Sequence, residues 1–100
     1  MLVKLDKEQT KALLFELRNF SIEIFNSEYE AHITEAVLKI FVTKLMKQSM
    51  DLKPRLSITL DPPTMRALQF VLARITPPNS YHLYVTTQLL TQIDIKCATL

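Results

Sequence analysis

The chain contains no glycine among its 100 residues, whereas an average protein contains about 7%. Glycine is the residue that accepts a positive φ angle and lets a backbone approach a phosphate group closely. Its absence argues against the phosphate-binding loop of nucleotide hydrolases, the dinucleotide-binding turn and the Asn-Gly hairpin. Nucleotide chemistry built on such loops is therefore not expected, and helices must end without the usual glycine cap.

Two helices are predicted in the first half of the chain. Asp6, with Gln9 three residues later, forms a capping box at the start of the first helix. The apolar positions of this helix recur at helical spacing at Leu13, Leu17, Phe20 and Ile24. Residues 20–25 also alternate like a strand, so the end of this helix stays open. Ser27 and Glu30 form a second capping box, which predicts a helix from Glu28 to about Ser49.

The second predicted helix is apolar around most of its circumference. Its polar residues form one narrow stripe at His32, Glu35, Lys39, Thr43 and Lys47. A helix of this kind must be covered on more than one side. It is therefore expected either to be the central helix of the fold or to be shared with a second copy of the chain. Phe41, Val42 and Leu45 are the candidate contact residues for a homodimer.

The second half begins with a predicted strand. Pro54 stops the preceding helix, and Leu56, Ile58 and Leu60 then alternate with polar residues. Asp61 caps a third helix, and Pro62 stands at its first position, where a missing N–H costs nothing. The apolar face predicted for this helix comprises Met65, Leu68, Leu72 and Ile75.

A fourth helix is predicted from a cap at Asn79 or Ser80, after Pro77 and Pro78, to about Ile95. Its predicted inner face comprises Leu83, Leu90, Ile93 and Cys97. Between Arg74 and Asp94 no residue is formally charged. Because contact surfaces lose charged residues and gain aromatic ones, this segment is a candidate contact surface. Its candidate residues are Tyr84, Thr87, Gln88 and Thr91, and a neutral polar or largely buried helix is the alternative.

The two halves of the sequence resemble each other. LDKEQTKALLFEL at Leu5 returns as LDPPTMRALQFVL at Leu60, fifty-five residues later, and LVKLD supplies a first strand to match LSITLD.

The predicted fold is a single domain over residues 1–100, mainly α with minor β (α+β). It has four helices arranged as two helical hairpins, each preceded by a short strand. Residues 3–49 and 58–96 would be duplicated units related by a pseudo-two-fold, and convergence on a common strand–cap–helix start is the alternative. The strands would pair as a ribbon that lies against the helices or extends across a dimer.

Charge changes sign along the chain. The segment from Glu16 to Glu35 contains five acidic residues and one basic residue. The segment from Lys39 to Arg55 contains five basic residues and one acidic residue. Acids at the start of a helix and bases at its end complement the helix dipole, which is one explanation. The other is a phosphate-binding patch formed by Lys44, Lys47, Lys53 and Arg55. A net charge of +2 gives nucleic-acid binding little support.

No residues favour catalysis. Glu28, His32 and Glu35 share one helix face, but metal sites in bundles draw ligands from several helices, so neither a metal nor any other cofactor is predicted. Cys97 lacks the electropositive pocket and the base that a catalytic thiol needs. The chain is not expected to be an enzyme.

The remaining predictions concern location and function. One cysteine allows no internal disulfide, the first residues lack the apolar segment of a secretory signal, and no apolar run is long enough for a membrane span. A cytoplasmic protein without membrane contact is predicted. Its predicted function is that of a non-enzymatic protein-interaction or oligomerisation module, a homodimer with a possible further protein partner. A small nucleic-acid-binding accessory protein that uses residues 39–55 is the alternative.

Overall fold

The computed structural model describes residues 1–50 and 54–99, and within them the chain is mainly helical. The elements follow in the order β1 (Leu2–Asp6), α1 (Lys7–Asn19), a 3₁₀ turn (Ile22–Ile24), α2 (Glu28–Ser49), β2 (Arg55–Thr59), α3 (Pro62–Leu72) and α4 (Ser80–Cys97). The prediction of a mainly α fold with four helices and two short strands is confirmed for the described residues. The expected stop before Pro54 falls partly on residues 51–53, which lie outside them.

The two strands pair with each other in antiparallel orientation. Val3 lies opposite Ile58 and Leu5 opposite Leu56. Side chains alternate in both strands, so that one face of the ribbon is buried and the other is exposed. β1 contacts α1, and β2 contacts α2. Because an isolated two-stranded ribbon is marginal in water, this packing against the helices is what stabilises it.

Each of the four described α helices begins at a polar cap. The Asp6 carboxylate accepts a hydrogen bond from the backbone N–H of Gln9, and the Gln9 side chain accepts one from the Asp6 N–H. Asp61 caps α3, Ser27 caps α2 and Asn79 caps α4. No described residue has a positive φ angle, so these helices end in right-handed or extended conformations, as the lack of glycine requires.

The four helices form a ring of contacts. α1 packs against α2 and α4, and α3 packs against the same two helices. The core lies between them and the buried face of the ribbon. The largest side chains with almost no solvent exposure include Leu13, Leu45, Ile58, Met65, Leu68 and Ile93. Burial of these side chains is the dominant favourable term in folding.

Three details differ from the sequence-based expectations or resolve them. α3 ends at Leu72 rather than at Ile75, and Ala73 and Arg74 form a turn after it. Leu83 was wrongly assigned to the inner face of α4, because it is 48% exposed. The inner face instead carries Val85, Thr86, Leu89, Ile93 and Cys97. After α1 ends at Asn19, the chain runs extended and then through the 3₁₀ turn, so residues 20–25 form neither a strand nor more helix.

Aromatic rings attach the connection between α1 and α2 to α3. The Phe25 ring stacks on Phe70 with 5.5 Å between centroids and 6° between planes. The Arg74 guanidinium lies 3.7 Å from the centroid of the Phe70 ring. A guanidinium held over an aromatic face is attracted by the ring quadrupole, so these three side chains hold the connection in place.

The helix caps lead to a first testable prediction. Asp6→Ala should lower the free energy of unfolding by about 1 kcal/mol, because it leaves an N-terminal N–H of α1 without its acceptor. Asp61→Ala should act in the same direction on α3. Urea unfolding at pH 7 measures both, with the exposed Lys4→Ala as a control that removes no cap. Unchanged midpoints in both aspartate variants would contradict the assignment.

The Asp61 cap should also respond to pH. Hydrogen bonds from Thr64 hold the pKa of the Asp61 carboxyl below its ordinary value of 3.8, and the charge of Lys44 acts in the same direction. A carboxyl whose pKa is lower in the folded chain stabilises it fully above the unfolded value and loses that contribution as the pH falls. The difference between wild type and Asp61→Ala should therefore shrink below pH 3.8.

Candidate interaction surfaces

The outward side of α4 forms a shallow, uncharged groove. It has a volume of about 600 Å³ and is lined by Ser80, Leu83, Tyr84, Thr87, Gln88, Thr91 and Gln92. These seven residues, called the α4 face below, recur at intervals of three and four because the opposite side of the helix is buried. All four residues proposed from the sequence for this surface lie on it. Leu83 and Tyr84 give it apolar area, with exposed fractions of 48% and 54%.

The outward side of α2 carries a line of apolar residues. Tyr29, Ile33, Ala36 and Ile40, called the α2 stripe below, are all exposed and follow spacings of four, three and four. Tyr29 is 76% exposed and Ile40 is 73% exposed. The buried side of the same helix is formed by Thr34, Leu38, Phe41 and Leu45. α2 is therefore apolar on two opposite sides, and only one of them faces the core.

The contact residues proposed on α2 belong largely to the core. Phe41 is 4% exposed and Leu45 is fully buried, and Val42 is half-buried and packs against the same cluster. α1, α3 and the ribbon pack against α2, so the buried Phe41 and Leu45 are not available to a partner in the folded chain. The surplus of apolar surface expected for α2 is present, but it lies on the outward side of the helix. Its exposed residues Tyr29, Ile33 and Ile40 were not predicted as contact residues.

The basic candidates lie on the surface, near carboxylates. Lys44, Lys47 and Arg55 are exposed, and Lys53 lies outside the described residues. Lys44 is close enough to Asp61 to lower the pKa of that carboxyl, and Arg55 lies directly opposite Asp6 in the ribbon. Two of the three described cations therefore have a carboxylate in their neighbourhood.

The candidate metal ligands and the cysteine form no metal site among the described residues. Glu28, His32 and Glu35 are exposed along α2. Among the described residues, no group of three His, Cys, Asp or Glu side chains is placed to hold a metal ion. Cys97 is buried in the last turn of α4 as a free thiol. None of the four lies on the α4 face or the α2 stripe.

A partly buried polar pair joins α1 to α4, and it was not predicted from the sequence. Nδ1 of His82 lies 2.8 Å from Oε2 of Glu16, whose residue is only 8% exposed. The Phe15 ring packs against the imidazole with 5.2 Å between centroids. A carboxylate in this position fixes the orientation of the imidazole and satisfies its own buried oxygen. We interpret the pair as a structural link, because its two partners are sixty-six residues apart in the chain.

No protein-family model, curated protein or solved structure matches this chain. In the part of the chain that the structure describes, no helix is long and apolar enough to cross a membrane. The class that the fold defines is a mainly α domain with a two-stranded antiparallel ribbon.

Proposed function

We propose that this chain is a non-enzymatic module that binds other protein chains through the outward faces of α2 and α4. One observation carries the proposal. Of the ten large hydrophobic side chains that are exposed among the described residues, seven lie on these two helices. They are Tyr29, Ile33 and Ile40 on α2, and Tyr81, Leu83, Tyr84 and Ile95 on α4. α3 has none, and the single one on α1, Phe15, packs against His82.

The physical reason is that the exposure of several neighbouring apolar side chains to water is unfavourable in free energy. Single apolar side chains on a surface need no explanation, but contiguous ones mark contact sites. The core is already filled without these residues, so stability of the domain alone does not account for them. A surface of this kind functions by burial of apolar area and needs neither a metal nor a cofactor. We expect the protein to act in the cytoplasm, without membrane contact.

We also propose that the chain is a duplication of a strand–helix–helix hairpin unit. Val3 and Ile58 are equivalent at the offset of fifty-five, and they lie directly opposite each other in the ribbon. An antiparallel pair of equivalent strands related by a two-fold must contain such a pairing of equivalent residues. Asp6 and Asp61, also equivalent, cap α1 and α3 with closely similar backbone angles. The register and the caps therefore support units 3–49 and 58–96.

The buried faces of α1 and α3 support the same relation. At the offset of fifty-five, the five buried residues of α1 correspond one to one with those of α3. The pairs are Thr10 and Met65, Ala12 and Ala67, Leu13 and Leu68, Glu16 and Val71, and Leu17 and Leu72. The capping residues Ser27 and Asn79 indicate that the second helices correspond at an offset of fifty-two, because the second connection is shorter.

At the offset of fifty-two only Tyr29 and Tyr81 are equivalent among the exposed apolar residues of α2 and α4, since Ile33 corresponds to the buried Val85. In each unit the first helix is amphipathic with one buried face, and the second helix has apolar residues on its outward side as well. The two outward faces have nevertheless diverged, because α2 retains acids and bases whereas the α4 face has none. We infer that the two faces bind different partners.

Nucleic-acid binding by residues 39–55 is the second candidate function. It draws support from the exposure of Lys44, Lys47 and Arg55. Its signature would be an affinity that falls steeply with salt concentration. The neighbouring Asp61 and Asp6 weaken this candidate, and the protein-interaction function is the one we put forward.

Photo-crosslinking in living cells tests the proposed function. A photoreactive phenylalanine analogue would replace Ile40 on the α2 stripe or Tyr84 on the α4 face. The control position is Lys11, which lies on α1 and has a side chain that is 75% exposed. We expect defined protein adducts from positions 40 and 84 and none from position 11. The same adducts from all three positions, or none from any, would overturn the proposed function.

A further inference from the structure

We infer that the α2 stripe is the contact surface of a homodimer in which α2 packs antiparallel against α2 of a second copy. This inference rests on the proposed function, and it names the partner that occupies one of its two surfaces. The stripe recurs at alternating intervals of four and three, which is the spacing at which one helix packs along another. α2 has 22 residues and is therefore about 33 Å long, and the stripe from Tyr29 to Ile40 occupies about 17 Å of that length.

Charge complementarity identifies the partner as a second copy of this chain. The first half of α2 carries three acids, Glu28, Glu30 and Glu35, and no lysine or arginine. The second half carries three bases, Lys39, Lys44 and Lys47, and no acid. An antiparallel pair places the acidic half of each copy beside the basic half of the other. A parallel pair would place like charges together and would be destabilised.

The apolar residues select a register within that arrangement. In one register Tyr29 packs against Ile40 of the second copy, and Ile33 packs against Ala36 of the second copy. The two-fold repeats both contacts, so the same residues meet from each side, as an isologous interface requires. Glu28 of the second copy then lies about 3 Å along the helix axis from the level of Lys39. All four residues of the stripe become covered, and no polar residue is forced between them.

Charge reversal tests the inference. A basic variant carries Glu28→Lys, and an acidic variant carries Lys39→Glu. Light scattering coupled to size exclusion should give a dimer for the wild type, monomers for each variant alone, and a dimer again for their equimolar mixture. A mixture that stays monomeric while the wild type is dimeric would overturn the antiparallel arrangement. Circular dichroism checks that both variants are folded.

A second measurement uses the unmodified protein and does not depend on the folding of a variant. Isotope-labelled and unlabelled chains are mixed and treated with a reagent that joins a carboxylate directly to an amine. Mass spectrometry should find Glu28 of one copy joined to Lys39 of the other. A wild type that is monomeric at all concentrations rejects the second copy as the occupant. The adducts from position 40 would then still report whether another protein binds there, so the proposed function fails or stands separately.

Discussion

Replacing Leu13 by alanine should lower the free energy of unfolding by about 2–5 kcal/mol, and Leu68→Ala should do the same. Both side chains are fully buried in the common core, one on α1 and one on α3. Each substitution removes buried methyl groups and leaves a cavity that the packed helices close only in part. The total stability of a domain of this size is about 5–15 kcal/mol, so each loss is a large fraction of it.

The two leucines also test the proposed duplication, because they are equivalent at the offset of fifty-five. Similar costs are expected for both if they occupy equivalent places in their units. Urea unfolding at one fixed protein concentration gives the values, since self-association would shift them. Leu2→Ala is the matched control: Leu2 is 58% exposed, and its loss should change stability by no more than about 0.5 kcal/mol. A loss no larger than this control at either buried leucine would contradict the assigned core.

Local signals in the sequence were enough to place the starts of the helices. The Asp6, Ser27, Asp61 and Asn79 caps depend on residues within three positions of each helix start, so they can be recognised without knowledge of the fold. The alternation around Ile58 likewise predicts a strand with one buried face. The absence of glycine correctly indicated that helices would end without a left-handed cap, and no described residue has a positive φ angle.

The orientation of α2 was beyond the reach of the sequence. A helix that is apolar on two opposite sides gives no internal signal of which side the rest of the chain will cover. Phe41 and Leu45 face inward, whereas Ile33 and Ile40 face outward, and only the packing of α1 and α3 decides between them. The same holds for Leu83, whose apolar character placed it on the wrong side of α4. The α4 face was recognised because a missing charge is visible in the sequence itself.

The Glu16–His82 pair illustrates a second limit. Glu16 reads as an ordinary surface residue of an amphipathic helix, and His82 as a polar residue near a helix start. Their 2.8 Å contact exists because α1 packs against α4. Contacts between distant segments have no periodicity that a single sequence reveals, and a buried polar pair is found only when both partners are in place.

The role of the α2 stripe is tested by two neighbouring substitutions on the same helix. Ile40→Glu places a charge on the outward side, where the side chain is 73% exposed. It should dissociate the dimer without unfolding the chain, because surface substitutions change stability by about 0.5 kcal/mol at most. Val42→Glu is the control: Val42 packs against the core, and a charge there should lower the free energy of unfolding by about 1–3 kcal/mol.

Sedimentation equilibrium over a protein concentration range of about 1–100 μM is the most direct measurement of this self-association. For the wild type we expect the mass to approach twice the 11.6 kDa of the chain. For Ile40→Glu we expect 11.6 kDa throughout, with an unchanged circular dichroism spectrum. A wild type that remains at 11.6 kDa over the whole range, or an Ile40→Glu variant as dimeric as the wild type, would contradict the role that we assign to the α2 stripe.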